Sequence, residues 1–83
     1  MDQQQARTKV MGIIAPFVRD KAALESAKDE TRILEDLGVN SARLVDIILA
    51  FEDEFGISID DAAADKVRTI GDAVRTVVEK TAA

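Results

Sequence analysis

The sequence contains no cysteine, no histidine and a single proline among 83 residues. Without cysteine there is no disulfide framework and no thiolate metal site. Without histidine there is no imidazole zinc ligand, and the usual base that takes a proton from a serine nucleophile is missing. A self-sufficient serine hydrolase is therefore a poor reading, and any reaction at a serine of this chain calls for a base supplied from outside. Long apolar runs are missing too. The longest, VMGIIAPFV at residues 10 to 18, is about half of what a membrane span requires. The opening MDQQQ lacks the basic stretch of a secretory signal. A soluble, cytoplasmic protein is the expectation.

Apolar residues make up 47% and charged residues 33% of the chain, a globular balance that argues against disorder. A chain of this length holds one core, so residues 1–83 are read as a single domain. The net charge of −5 is concentrated in the middle of the sequence. Residues 30 to 65 hold ten acids and two bases, whereas the segments on either side are slightly basic. That field disfavours nucleic acid and favours a basic patch on a protein partner.

Val10, Ile13, Ile14, Phe17 and Val18 mark one face of a first helix. Asp2 and Gln5 resemble a capping box that starts it near Gln3, and Pro16 predicts a kink or a loosened end. Residues 19 to 40 are mostly polar, with apolar anchors at Leu24, Ile33, Leu34 and Leu37. A short helical turn over Ala22 to Ala27 is expected within them. Leu44, Ile47, Ile48, Phe51 and Phe55 define a second helix from Ser41 to Phe55, stopped by Gly56. Ile57 and Ile59 suit a brief extended segment. Asp60 or Asp61 can cap a short helix over Ala62 to Lys66. Thr69 and Asp72 cap a last helix whose apolar face is Ile70, Ala73, Val74, Val77 and Val78. The fold class is all-α: a small four-helix bundle, three main helices and one short, with a long first loop.

Asn40-Ser41 stands at the N-terminus of the second helix, where unsatisfied amides and a partial positive charge favour an anion. Either residue can also serve simply as the cap. An EF-hand reading of the acids downstream fails, because their alternation and the glycine position do not align. No metal site is expected.

LEDLGVNSARLVDIILAFEDEFG, residues 34 to 56, resembles the acyl carrier protein family, whose signature is an acidic-Leu-Gly stretch, Asp-Ser-Leu, and an amphipathic helix ending in acids and Phe. The resemblance continues more weakly through ISIDDAAADKVRTIGDAV, residues 57 to 74. It implies that Ser41, with Asn40 beside it, is the attachment point of 4′-phosphopantetheine, moved from coenzyme A by a magnesium-dependent phosphopantetheinyl transferase. It further implies a monomeric, non-catalytic carrier of acyl thioesters for fatty acid, lipid or polyketide synthesis. Glu35, Asp36, Asp46, Glu52 and Asp53 then become contacts for basic patches on acyl-transferring and synthase enzymes. Val45, Ile47, Ile48, Phe51, Ile59 and Val67 lie where an acyl chain could slide between helices, although plain core is the competing role.

This chain departs from the pattern at three positions. Asn40 stands where the family has Asp, Ala42 where it has Leu, and Arg43 where an acid is common. These neighbours of Ser41 are also expected to meet the partners. An unmodified helical interaction domain, or a carrier of aminoacyl or peptidyl groups, are the alternatives.

Overall fold

The computed structural model describes residues 1–82. Five α-helices follow one another: α1 (Gln3–Ile14), α2 (Lys21–Glu25), α3 (Ser41–Phe55), α4 (Asp61–Asp65) and α5 (Ile70–Ala82). A 3₁₀ turn over Ala15–Phe17 follows directly on α1. The described part is all-α, with one isolated antiparallel bridge between Arg32 and Thr69. The segment expected as a helical turn over Ala22 to Ala27 is α2, placed one residue earlier because Asp20 caps it by accepting the Ala23 N–H at 3.1 Å.

Local chemistry explains the ends. Asp2 Oδ1 accepts the Gln5 N–H at 2.8 Å and Gln5 Oε1 accepts the Asp2 N–H, which completes a reciprocal cap on α1. Pro16 has no N–H to give the Gly12 carbonyl, and the chain tightens into the 3₁₀ turn there. Gly56 ends α3 at φ 63°, the left-handed conformation that a side chain disfavours. Asp60 caps α4 through the Ala63 N–H at 2.8 Å. Asp72 and Thr69 exchange side-chain and backbone bonds at the start of α5.

α1 packs mainly on α5 and also on α3. Ala6, Val10, Ile14, Val18, Ile47, Phe51, Ile70, Ala73, Val74 and Val77 form the centre of the core. Ile33, Leu37 and Val39 close it from the long loop. Leu34 was expected as an anchor alongside Ile33 and Leu37, and is instead 39% exposed. The reason is a tight turn in which Asp36 and Leu37 both donate to the Arg32 carbonyl. That turn points residues 33 and 37 inward and residue 34 outward.

The loop is stitched to the start of α5 by backbone bonds. Ile33 N–H donates to the Arg68 carbonyl at 2.9 Å, Ile70 N–H to Thr31 at 3.0 Å, and Gly71 N–H to Asp29 at 2.9 Å. Buried backbone groups need such partners, so the bonds hold a polar segment against an apolar core. Two carboxylates brace the seam. Asp36 accepts the Arg32 N–H at 2.8 Å, and Asp72 accepts the N–H groups of Arg68 and Thr69 at 3.2 and 3.1 Å. The seam fixes the loop on one side of the α3 N-terminus. No described helix is long and apolar enough to cross a membrane.

Candidate functional site

The choice left open between Asn40 and Ser41 as the cap is decided by geometry. Asn40 is extended (φ −80°, ψ 164°) and its Oδ1 accepts the Arg43 N–H at 2.9 Å. Ser41 is the first residue of the helix and is exposed. The bond that a capping serine would accept is made by its neighbour, so the Ser41 hydroxyl is not committed to the helix end. It stands beside the first-turn amides, where a phosphate ester is electrostatically favoured.

Beside this terminus lies a groove of about 530 Å³ lined by Arg32, Leu34, Glu35, Leu44, Ala64, Asp65, Val67 and Arg68. Its apolar surfaces come from the loop, the first turn of α3 and the end of α4, and charged side chains surround them. Leu34, Leu44 and Ala64 were not anticipated as a pocket lining. Leu34 reads as core in a polar loop, and only the turn at residues 33–37 reveals its outward direction. Ile47, Ile48, Phe51, Ile59 and Val67 are buried, as members of the main core. Val45 is not among them. It is 58% exposed, because it lies about 100° around the helix from Leu44 and faces away from α1 and α5.

The acids are arranged less freely than their number suggests. Glu35 and Asp36 both pair with Arg32, at 2.5 and 3.3 Å. Asp46 pairs with Arg43 at 3.5 Å. Glu52 folds back to accept the Ile59 N–H at 2.8 Å and so fastens the α3–α4 loop. Asp53 is exposed and has no ion pair among the described residues. The Arg32 backbone amide, followed by its guanidinium, holds the Asp36 carboxyl below the ordinary carboxylate value. No group of three or more acids, among the described residues, is placed to hold a metal ion.

Residues 12–77 match the family described as a phosphopantetheine attachment site. The acyl carrier protein of Thermotoga maritima is 31% identical over 77 residues, which cover 90% of this chain and 95% of that relative. The chain belongs to the acyl carrier protein family. The acyl carrier protein of Caulobacter vibrioides is 43% identical over 58 residues, 70% of this chain and 74% of its own. A solved structure of the acyl carrier protein from Enterococcus faecalis superposes with a TM-score of 0.79 at 31% identity, covering 96% of this chain and 99% of that one. The cofactor of an acyl carrier protein is a covalently attached 4′-phosphopantetheine. The exposed serine at a helix N-terminus, with an apolar-floored groove beside it, fits that group in both chemistry and space. Fatty acid synthesis is the typical setting of the family.

Proposed function

We propose that this chain is a non-catalytic carrier, a cytoplasmic monomer of one domain, in which Ser41 is the attachment point and the cargo is an acyl group held as a thioester. The single observation that carries the reading is the division of labour at the α3 N-terminus. Asn40 makes the capping bond to Arg43, and the Ser41 hydroxyl stays exposed. A purely structural Ser-Asn pair has no need of both residues.

The arm supplies the thiol that the chain itself lacks. The chain's own part is to present the Ser41 oxygen to an external base, since it has no histidine. The first-turn amides of α3 then balance charge on a phosphate ester at that oxygen. Leu34, Leu44, Ala64 and Val67 offer an apolar surface on which a short acyl group can rest. Ile47, Phe51 and Ile59 lie deeper, and a longer chain would have to part them from their neighbours. Partner enzymes of acyl transfer and synthesis meet the acidic middle of the sequence with basic patches.

The absence of cysteine gives a clean test. The purified chain contains no thiol, and treatment with coenzyme A, magnesium and a phosphopantetheinyl transferase should introduce one per molecule. Acylation should then remove it, and hydroxylamine should restore it. A wild-type chain that gains no thiol, or a Ser41→Ala variant that gains one, would reject the assignment. The alternative of an unmodified interaction domain predicts no thiol under any of these conditions. An aminoacyl carrier predicts a thiol that accepts amino acids in preference to acyl groups.

A further inference from the structure

Two guanidinium groups line the groove beside the α3 N-terminus, and they are not equivalent. Arg32 is spent within the chain on Glu35 and Asp36. Arg68 is exposed, and its side chain has neither an ion pair nor a hydrogen bond among the described residues. The nearest acid on α5 is not available to it. Asp72 gives Oδ2 to the backbone N–H groups of Arg68 and Thr69 and Oδ1 to the Arg75 guanidinium. Asp65 lies three residues earlier and also lines the groove, but no ion pair joins it to Arg68.

The backbone that carries Arg68 is held on both sides. Its N–H donates to Asp72 at 3.2 Å, and its carbonyl accepts the Ile33 N–H at 2.9 Å. Val67 before it is 2% exposed and anchors the segment in the core. The guanidinium therefore rises from a fixed stalk at the lip of an apolar-floored groove. Its planar fork suits a carboxylate, to which it donates two parallel bonds. A hydrocarbon group lying across the groove would take water from that cation and return no partner.

Size narrows the occupant further. Ile33, Ile47 and Phe51 are buried in the core and close the way inward. A group that leaves those residues in place has to fit the groove of about 530 Å³. That space suits the end of the arm and a few further carbons.

We propose that Arg68 sets the cargo specificity of this carrier, by receiving the terminal carboxylate of a short dicarboxylic acyl group that lies in the groove. Leu34, Leu44 and Ala64 support the carbons between the thioester and that carboxylate. An apolar acyl group of the same length gains the floor but not the cation, and this difference is the selectivity. The proposal rests on the reading of Ser41 as the attachment point and adds the chemistry of what the arm carries.

The test loads the chain, through a phosphopantetheinyl transferase, from coenzyme A analogues in which N–H replaces the thioester sulfur, so that the cargo survives heating. The groups compared are succinyl, butyryl and β-alanyl, and melting is followed by circular dichroism at low salt. Succinyl-loaded wild type should melt roughly 2–4 °C above butyryl-loaded wild type. The gap should vanish in Arg68→Ala and in Arg68→Gln, which keeps much of the stem, and should shrink as salt is added. Lys66→Ala makes the same change of net charge two residues away and should keep the gap. Equal melting of the succinyl and butyryl forms of wild type, or a gap that survives both Arg68 variants or is lost in Lys66→Ala, would overturn the proposal. A β-alanyl form more stable than the succinyl form would overturn it in favour of an ammonium on Asp65. A wild-type chain that accepts no arm is a separate result: it rejects Ser41 as the attachment point, and this proposal falls with it.

Discussion

The side chain of Asn40 accepts the backbone N–H of Arg43 at 2.9 Å, and this bond releases Ser41 from structural duty. A hydroxyl that capped its own helix would be a poorer target, because modification would remove an acceptor that the helix needs. Asn40 therefore stabilises the helix and keeps its neighbour available. Replacing Asn40 with Ala should cost about 1 kcal/mol of stability. Asn40→Asp should keep the cap and add a favourable anion at the helix N-terminus, for a gain of roughly 0.3–1 kcal/mol at low salt. Urea unfolding followed by circular dichroism measures both, the chain having no Trp or Tyr to report by fluorescence.

Burial separates Val45 from the residues grouped with it as an acyl lining. Phe51 and Ile47 are fully buried while Val45 is largely exposed. Phe51→Ala should cost about 3–5 kcal/mol and Ile47→Ala about 2–5 kcal/mol, whereas Val45→Ala should stay within roughly 0.5 kcal/mol of wild type. The same unfolding curves decide, and a Val45→Ala loss as large as that of Ile47→Ala would contradict the exposed placement.

Glu52 and Asp53 are adjacent acids with different roles. Glu52 holds the Ile59 N–H at 2.8 Å, and Ile59 seals one edge of the core. Glu52→Ala should leave that amide without its acceptor, at a cost of about 1–3 kcal/mol, and should speed hydrogen exchange at Ile59. Asp53→Ala should do neither. Equal exchange rates at Ile59 in wild type and Glu52→Ala would remove the clamp from the account.

Two glycines should respond oppositely to one added methyl group. Gly12 lies inside α1 with open space where a Cβ would sit, so Gly12→Ala should stabilise by about 0.5–1 kcal/mol. At Gly71 the added Cβ would lie 3.1 Å from both the Cβ and the carbonyl oxygen of Asp29. That contact strains the bond from Gly71 N–H to Asp29 that closes the seam, and Gly71→Ala should lower the melting temperature instead.

Acid should act through the carboxylates that brace the seam. Partial burial pushes the Asp72 carboxyl up, but donation by the Arg68 and Thr69 amides and by Arg75 outweighs it and holds the group below its ordinary 3.8. Asp36 is held down in the same direction by Arg32. A carboxyl whose folded value lies below its unfolded value adds stability that is full above the unfolded value and is lost as pH falls through the folded one. Stability should thus be insensitive to these two groups between about pH 5 and 7 and should fall below roughly pH 4. Asp72→Asn should be less stable than wild type at pH 7, with the gap narrowing in acid. A gap that widened as pH fell would have the wrong sign.

Features of the fold set by neighbours in sequence were legible from the residues alone. The Asp2–Gln5 cap, the break at Pro16, the span of α3 and its glycine stop each depend on a few adjacent residues. The seam was not legible, because Ile33–Arg68 and Ile70–Thr31 are backbone bonds between distant segments and leave no periodic trace. For the same reason the burial of Val39 and the outward turn of Leu34 escaped the apolar pattern. At the site, Ser41 stood out from its setting, and the five acids stood out from their positions. Four of them are tied within the chain: Arg43–Asp46 is an i, i+3 pair that helical spacing allows, whereas the Arg32 pairs need the turn at residues 33–37 and the Glu52 bond to the Ile59 N–H needs the fold of the α3–α4 loop.

The most direct measurement is the intact mass of this protein taken from the cell that makes it, compared with a Ser41→Ala form produced in the same cell. The account predicts that the wild-type chain carries the mass of one 4′-phosphopantetheine, located by fragmentation to Ser41, and that the variant carries none. A wild-type chain wholly without the added mass, or an arm that persists when Ser41 is removed, would contradict it.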